Sequence, residues 1–230
     1  MFANFDFDVI RRSLGYLFFD GMTFTLTLTG LGALGGLIFG TLIAMMRLSG
    51  FKLLGRIAGL YVDLMRSLPL VLVIFWFYFL VPYIGQWLTG SSRPIRVGAF
   101  ASSLVTFIMF EAAYFSEIMR AGIQSISKGQ PAAANALGLT YGQTMRYVVL
   151  PQAFRNMLPV LLTQTIVLFQ DTSLVYVLSI PDFLGAASKV AQRDGRLVEM
   201  YLFAAAVYFI ISSAASFSVR RLQARISIVR

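Results

Sequence analysis

The chain has 230 residues, of which 58% are hydrophobic and 13% charged, with a formal net charge of +9. Soluble domains are near half apolar and about a quarter charged, so this excess, gathered in long runs, is what a lipid solvent demands: an all-α polytopic membrane protein. The cations cluster at the ends of apolar runs and form no basic stripe with interleaved aromatics, which argues for membrane topology and against a nucleic-acid partner.

Cys and His are both absent. This removes disulfides, thiolate nucleophiles, His-based triads and most zinc sites. No G-x-x-x-x-G-K-[ST] loop occurs either, so nucleotide hydrolysis through that motif belongs to a partner. Asp6, Asp8 and Asp20 interrupt the amino-terminal stretch. It does not read as a signal peptide, and the first span is its own insertion signal.

Five apolar segments of about 20 residues follow, each long enough to cross the hydrocarbon core as a helix. They run over 22–46, 60–82, 97–119, 157–178 and 201–219. One transmembrane domain over 1–230 fits, with its membrane core at 22–219. An odd number of spans places the termini on opposite sides. The 47–57 loop, the 117–155 loop and the carboxyl tail hold 11 Lys and Arg, against 7 on the other side, with Arg66 inside the second span. The bias puts the carboxyl tail in the cytoplasm and the amino terminus outside. In the first span Gly32, Gly36 and Gly40 make a bare stripe on which a neighbouring backbone can close, either within the chain or at a subunit interface.

The polar segment 128–151 lies between the third and fourth spans. Gly129-Gln130-Pro131 opens a helix, with Pro131 in the first turn, where its missing N–H costs nothing. Four of the next five residues are Ala, the best helix former. Gly138 stands where a left-handed carboxyl cap is expected. The result is a helix of about two turns, with Ala133, Ala134 and Leu137 on one face. Small side chains suit it to a groove in another protein, with Leu137 as apolar anchor; a surface helix in the interface plane fits the same residues. Pro151 and Pro159 are expected to break the helix that follows.

Ionisable residues within spans are costly and functional by default. Asp63, Arg66, Glu111 and Asp171 lie in or near them. Arg66 is a candidate carboxylate partner through its guanidinium fork, or it snorkels to the interface. Asp171, with Thr172, Ser173 and Gln170 beside it, is a candidate for holding an α-ammonium, for pairing with Arg66, or for capping a broken helix. Glu111 would repel an acidic cargo, and a buried, hydrogen-bonded structural role fits it better.

Two Ala, a Gly four residues beyond the second, nine spacer residues, then aliphatic-x-Leu-Pro: this pattern at Ala133, Ala134, Gly138, Val148, Leu150 and Pro151 resembles the "EAA" signature of ABC importer permeases. Ala132 replaces the acidic residue. A literal Glu111-Ala112-Ala113 lies inside the third span with the wrong spacing to any Leu-Pro. Arg66-Ser67-Leu68-Pro69-Leu70, Glu117 to Ile126 and Leu150 to Arg155 look like the polar amino acid subgroup. Phe169 to Leu178 is similar to its acidic amino acid members, many of which carry Lys where Gln170 stands. The resemblance covers nearly the whole chain from residue 15.

The resemblance implies a type I ABC importer permease fold in the bacterial inner membrane. It implies two ATPase subunits, a second permease subunit (related or identical), a periplasmic solute-binding protein, and glutamate or aspartate as cargo. ATP-Mg would be bound by the ATPase partners, with no cofactor in this chain and no covalent chemistry. Gly129, Ala133, Ala134, Leu137, Gly138, Leu150 and Pro151 would couple to the ATPase. Glutamine or another polar amino acid is the alternative cargo. An ion-coupled transporter or channel and a non-transporting scaffold are the rival classes.

Overall fold

A computed structural model describes residues 5–226. Arg230, one of the cations in the topology bias, lies outside them. Among the described residues, five helical segments are long and apolar enough to cross a membrane: Phe7–Leu48, Leu70–Thr89, Ala99–Gln124, Tyr141–Leu178 and Leu197–Ile226. The expected number is found, with different bounds.

The chain folds as two compact units. The first takes the segment through Leu34, with Leu68–Ile108 and Ile166–Ala215. Its first helix, α1 (Phe7–Gly15), is capped by Asp6, whose carboxylate accepts from Asp8 N and Val9 N. A π-turn (Tyr16–Met22) carries α1 directly into α2 (Thr23–Leu48), so this segment starts well before residue 22. α4 (Leu70–Phe75), a second π-turn (Trp76–Leu80) and α5 (Val81–Thr89) form the next segment, closed by left-handed Gly90. α10 (Phe183–Asp194) buries Phe183, Ala186, Ala187, Val190 and Ala191 against Leu17 and Met22, and against Met200 of α11 (Leu197–Ile226). Asp182 caps α10: its two carboxylate oxygens accept from Leu184 N and Gly185 N, each at 3.0 Å.

The second unit takes Gly35–Ser67, Met109–Thr165 and the segment from Ser216. It holds α3 (Lys52–Ser67) and the carboxyl half of α6 (Ala99–Gln124). It also holds α7 (Gly129–Ala136), α8 (Tyr141–Thr144) and most of α9 (Leu150–Asp171). α2 and α6 close on each other where α2 has no side chains. A Cβ on Gly36 would stand 2.7 Å from Glu111 Cβ, and one on Gly40 would stand 2.9 Å from Phe115 Cβ. Gly36 and Gly40 therefore serve packing within this unit, while Gly32, in the first unit, faces Phe107 and Leu168.

Two expectations are corrected. The segment read as 60–82 starts at Leu70, because Pro69 takes an extended backbone (φ −61°, ψ 130°) and disfavours helix in the residue before it. Arg66 lies on α3, outside the candidate span. Pro151 and Pro159 do not break the fourth segment. Pro151 is the second residue of α9, directly after a third π-turn (Met145–Val149), where its ring needs no partner N–H. α9 runs through Pro159, whose carbonyl accepts from Thr163 Oγ1 at 2.9 Å.

Candidate functional site

The polar segment folds as its residues dictate. α7 has two turns, and Gly138 beyond it is left-handed (φ +81°). Its carboxyl end closes through Gly138 N–H to Asn135 O and Leu139 N–H to Ala134 O. These bonds satisfy carbonyls that a helix end leaves open. α8 begins at a capping box: Thr140 Oγ1 accepts from Gln143 N, and Gln143 Oε1 accepts from Thr140 N. The Thr-x-x-Gln spacing is a signal for this cap that the sequence itself carries.

The unit grips this segment at several points. α7 packs against α8 and the third π-turn. Thr144 Oγ1 donates to Asn135 Oδ1 at 3.3 Å, and Gln152 Nε2 reaches Gln130 Oε1 at 3.5 Å. Ile126, Val149 and Ala153 form a small buried cluster beneath it, with Ile123 and Met145 alongside.

The face expected for Ala133, Ala134 and Leu137 divides in two. Ala134 is 4% exposed and belongs to the packed side, whereas Ala133 is exposed and Leu137 is 81% exposed. On a helix the i, i+4 pair Ala133 and Leu137 stands outward, and Ala134 turns back toward the chain. Tyr141, 79% exposed, adds an aromatic that the sequence reading omitted. Gly129 opens α7, while Leu150 and Pro151 open α9. The peg is thus apolar at its tip, fixed at both ends and free on one face.

The candidate path residues fall in different units. Arg66 lies in the second. It is exposed, with its guanidinium carbon 5.4 Å from the centroid of the Tyr114 ring. The ring attracts the cation across its face. Tyr61, also on α3, donates to Met109 O at 2.6 Å; its burial pushes the phenol up to about 12. Glu111 is 0% exposed and accepts from Gln164 Nε2 at 3.3 Å, in keeping with a buried structural group.

Gln170, Asp171, Thr172 and Ser173 lie in the first unit, where α9 passes into a 3₁₀ turn (Thr172–Leu178). Asp171 and Ser173 are half-buried, and Gln170 Nε2 donates to Ser212 Oγ at 3.1 Å. Thr172 is fully buried and its hydroxyl donates to Phe169 O at 2.7 Å. That hydroxyl bonds its own helix, as threonines do near helix ends. The hydroxyl oxygen keeps its lone pairs as acceptors.

The sequence reading also gave no role to an ionic cluster in the second unit. Arg47, at the end of α2, and Arg120, on α6, both donate to the Glu117 carboxylate, and Arg120 donates onward to Gln124 Oε1. Helical spacing signals the Glu117–Arg120 pair; nothing in the sequence signals the pairing with Arg47.

Residues 36–228 match the family model described as the binding-protein-dependent transport system inner membrane component. The chain belongs to this family. The permease is 53% identical over 224 residues to the glutamate/aspartate import permease protein GltK of Escherichia coli O6:H1, covering 96% of this chain and 98% of that one. It is 34% identical to the probable glutamine ABC transporter permease protein GlnP of Bacillus subtilis, covering 94% of this chain and 95% of that one. Among solved structures it is similar to an amino acid ABC transporter crystallised with histidines (TM-score 0.86, 31% identity, 96% and 98% coverage). The MetNI methionine ABC transporter shares the fold (TM-score 0.73, 18% identity, 93% and 97% coverage). The permease is therefore a multi-pass inner-membrane subunit of an ABC importer. It is a transport subunit, in a class of importer that works with ATPase and binding-protein partners.

Proposed function

We propose that this permease imports acidic amino acids, glutamate and aspartate. In this reading it pairs with a second permease subunit, two ATPase subunits that bind ATP-Mg, and a periplasmic binding protein. Its amino terminus lies in the periplasm and its carboxyl tail in the cytoplasm, with α7 on the side where ATP is. The observation that carries the coupling role is the split of α7, with Ala134 packed inward and Ala133 and Leu137 presented outward. Closure of the ATPase pair pushes on that outward face. The buried side, the left-handed cap and the Asn135–Thr144 bond pass the push to α8 and α9.

The acidic cargo rests on identity to the glutamate/aspartate permease, well above that to the glutamine permeases. Arg66 supplies chemistry of the right sign, since a guanidinium held by a ring face offers its fork to a carboxylate. In the first unit, taken by itself, Asp171, Thr172 and Ser173 offer acceptors for an ammonium, and Gln170 is tied to Ser212 beside them. The test is uptake of labelled glutamate, aspartate and glutamine by vesicles holding the complete importer, with and without ATP. ATP-dependent uptake favouring the two acids supports the proposal. Uptake by the permease alone in an ion gradient overturns it.

A further inference from the structure

α11 is longer than a membrane crossing requires. Its 30 residues rise about 45 Å, against a hydrocarbon core of about 30 Å. Charge decides where the excess lies. Glu199, in the first turn, pairs with Arg196, so this end stands in a polar layer. About 20 residues cross the core, and counted from Met200 they reach Val219. Arg220, Arg221 and Arg225 follow within about 9 Å along the same helix, roughly the depth of a headgroup layer.

The three arginines are exposed, and among the described residues none of them pairs with a carboxylate. No Asp or Glu occurs in 200–230. They do not share one side of the helix. Arg221 and Arg225 stand about 40° apart with Phe217 beside them, whereas Arg220 is turned about 100° from Arg221. The Arg221 guanidinium carbon lies 4.3 Å from the centroid of the Phe217 ring, which holds that cation on this side. By helical spacing the exposed stripe continues toward the membrane centre through Ala214 and Ile210. Apolar surface therefore runs without a break into a pair of fixed cations. A phospholipid has the same order, acyl chain and then phosphate, and guanidiniums grip phosphate through forked hydrogen bonds. An acidic protein approaching from water could reach the arginines but not Ile210.

We propose that Phe217, Arg221 and Arg225 form a binding site for an anionic phospholipid in the leaflet where α11 ends. The phosphate sits between the two guanidiniums, and an acyl chain lies along Ala214 and Ile210. In the topology proposed above this is the cytoplasmic leaflet. The site is separate from the candidate path residues and from α7, and it does not depend on which cargo is carried.

The experiment titrates the complete importer, purified in detergent, with phosphatidylglycerol or phosphatidylcholine and counts bound lipids by native mass spectrometry. Wild type holds phosphatidylglycerol the more tightly. Arg221→Gln and Arg225→Gln each weaken it roughly fivefold and change phosphatidylcholine little, because each removes one cation from the headgroup layer. Arg220→Gln, on another side of the helix, changes either lipid little. Equal weakening by Arg220→Gln overturns the proposal, since a diffuse positive end would then suffice. Unchanged phosphatidylglycerol binding by the double variant Arg221→Gln/Arg225→Gln overturns it too. If that double variant sheds the ATPase subunits while keeping the lipid, the arginines serve a protein partner instead. Displacement of the lipid by an equal concentration of inorganic phosphate would likewise remove the acyl contact from the site.

Discussion

A Cβ on Gly36 would lie 2.7 Å from the Cβ of Glu111, closer than side chains pack. The buried carboxyl of Glu111 is also held by Gln164 of α9, which limits how far α6 can shift. Gly36→Ala should lower stability by about 1–3 kcal/mol, the usual cost of forcing extra volume into a packed site. Thermal unfolding in detergent measures it. Gly30→Ala, on the same helix with open space around it, serves as the mild control.

Leu137→Asp and Gly138→Val test the peg by different physics. The first puts a charge at the apolar tip. The second meets open space, but asks a β-branched residue to adopt φ +81°, at a cost of about 1–2 kcal/mol. Both variants should insert normally and lose uptake while ATP hydrolysis by the assembled machine continues. Gly138→Asn, which tolerates the left-handed region, should retain most uptake. Normal uptake by Leu137→Asp would remove α7 from the coupling role.

Arg66 separates charge from shape. Arg66→Ala should depress glutamate uptake more than uptake of a neutral amino acid. Arg66→Lys should recover only part of the loss, because an ammonium lacks the planar fork and stacks less well on Tyr114. Equal losses for acidic and neutral cargo would assign Arg66 to packing alone.

Asp182 gives a pH dependence. Burial raises its carboxyl to about 7, while the N–H groups of Gly185 and Leu184 pull the other way. An unfolded Asp titrates near 3.9, so between about pH 4 and 7 the folded chain holds a proton that the unfolded chain has lost. This contribution to stability is complete below that window and disappears as the pH rises through 7. The thermal midpoint should therefore fall across this range. Asp182→Asn, which can still cap α10, should flatten the profile. A midpoint slope unchanged by the substitution would place the titration elsewhere.

The helices of this fold are legible because lipid leaves a helix little choice of composition. α7 is legible for a sharper reason: Ala-rich turns, an early Pro and a terminal Gly are local signals with local causes. Segment bounds were missed where backbone geometry overrides hydropathy. Pro69 delays α4, and the π-turn at Tyr16–Met22 carries the helix across Asp20 and Gly21, which interrupt the apolar run between α1 and α2. The direction of Ala134 was missed because spacing fixes which residues share a helix face and not how a short helix is rolled against its support. The bond from the Thr172 hydroxyl to Phe169 O follows from the local 3₁₀ winding, which residue spacing alone does not report. The Arg47–Glu117 pair joins residues 70 apart, a separation that no periodicity reports.

Three membrane segments contain a stretch wound wider than an α-helix, and the one at Met145–Val149 stands between the peg and the long helix behind it. Each residue of an α-helix advances the winding by about 100°. Deleting one residue there and restoring ordinary winding would swing Tyr141 and everything before it about a quarter-turn around the axis of α9. The extra residue thus acts as an angular shim: it sets the compass bearing at which α7 meets whatever seizes it, independently of how far α7 protrudes.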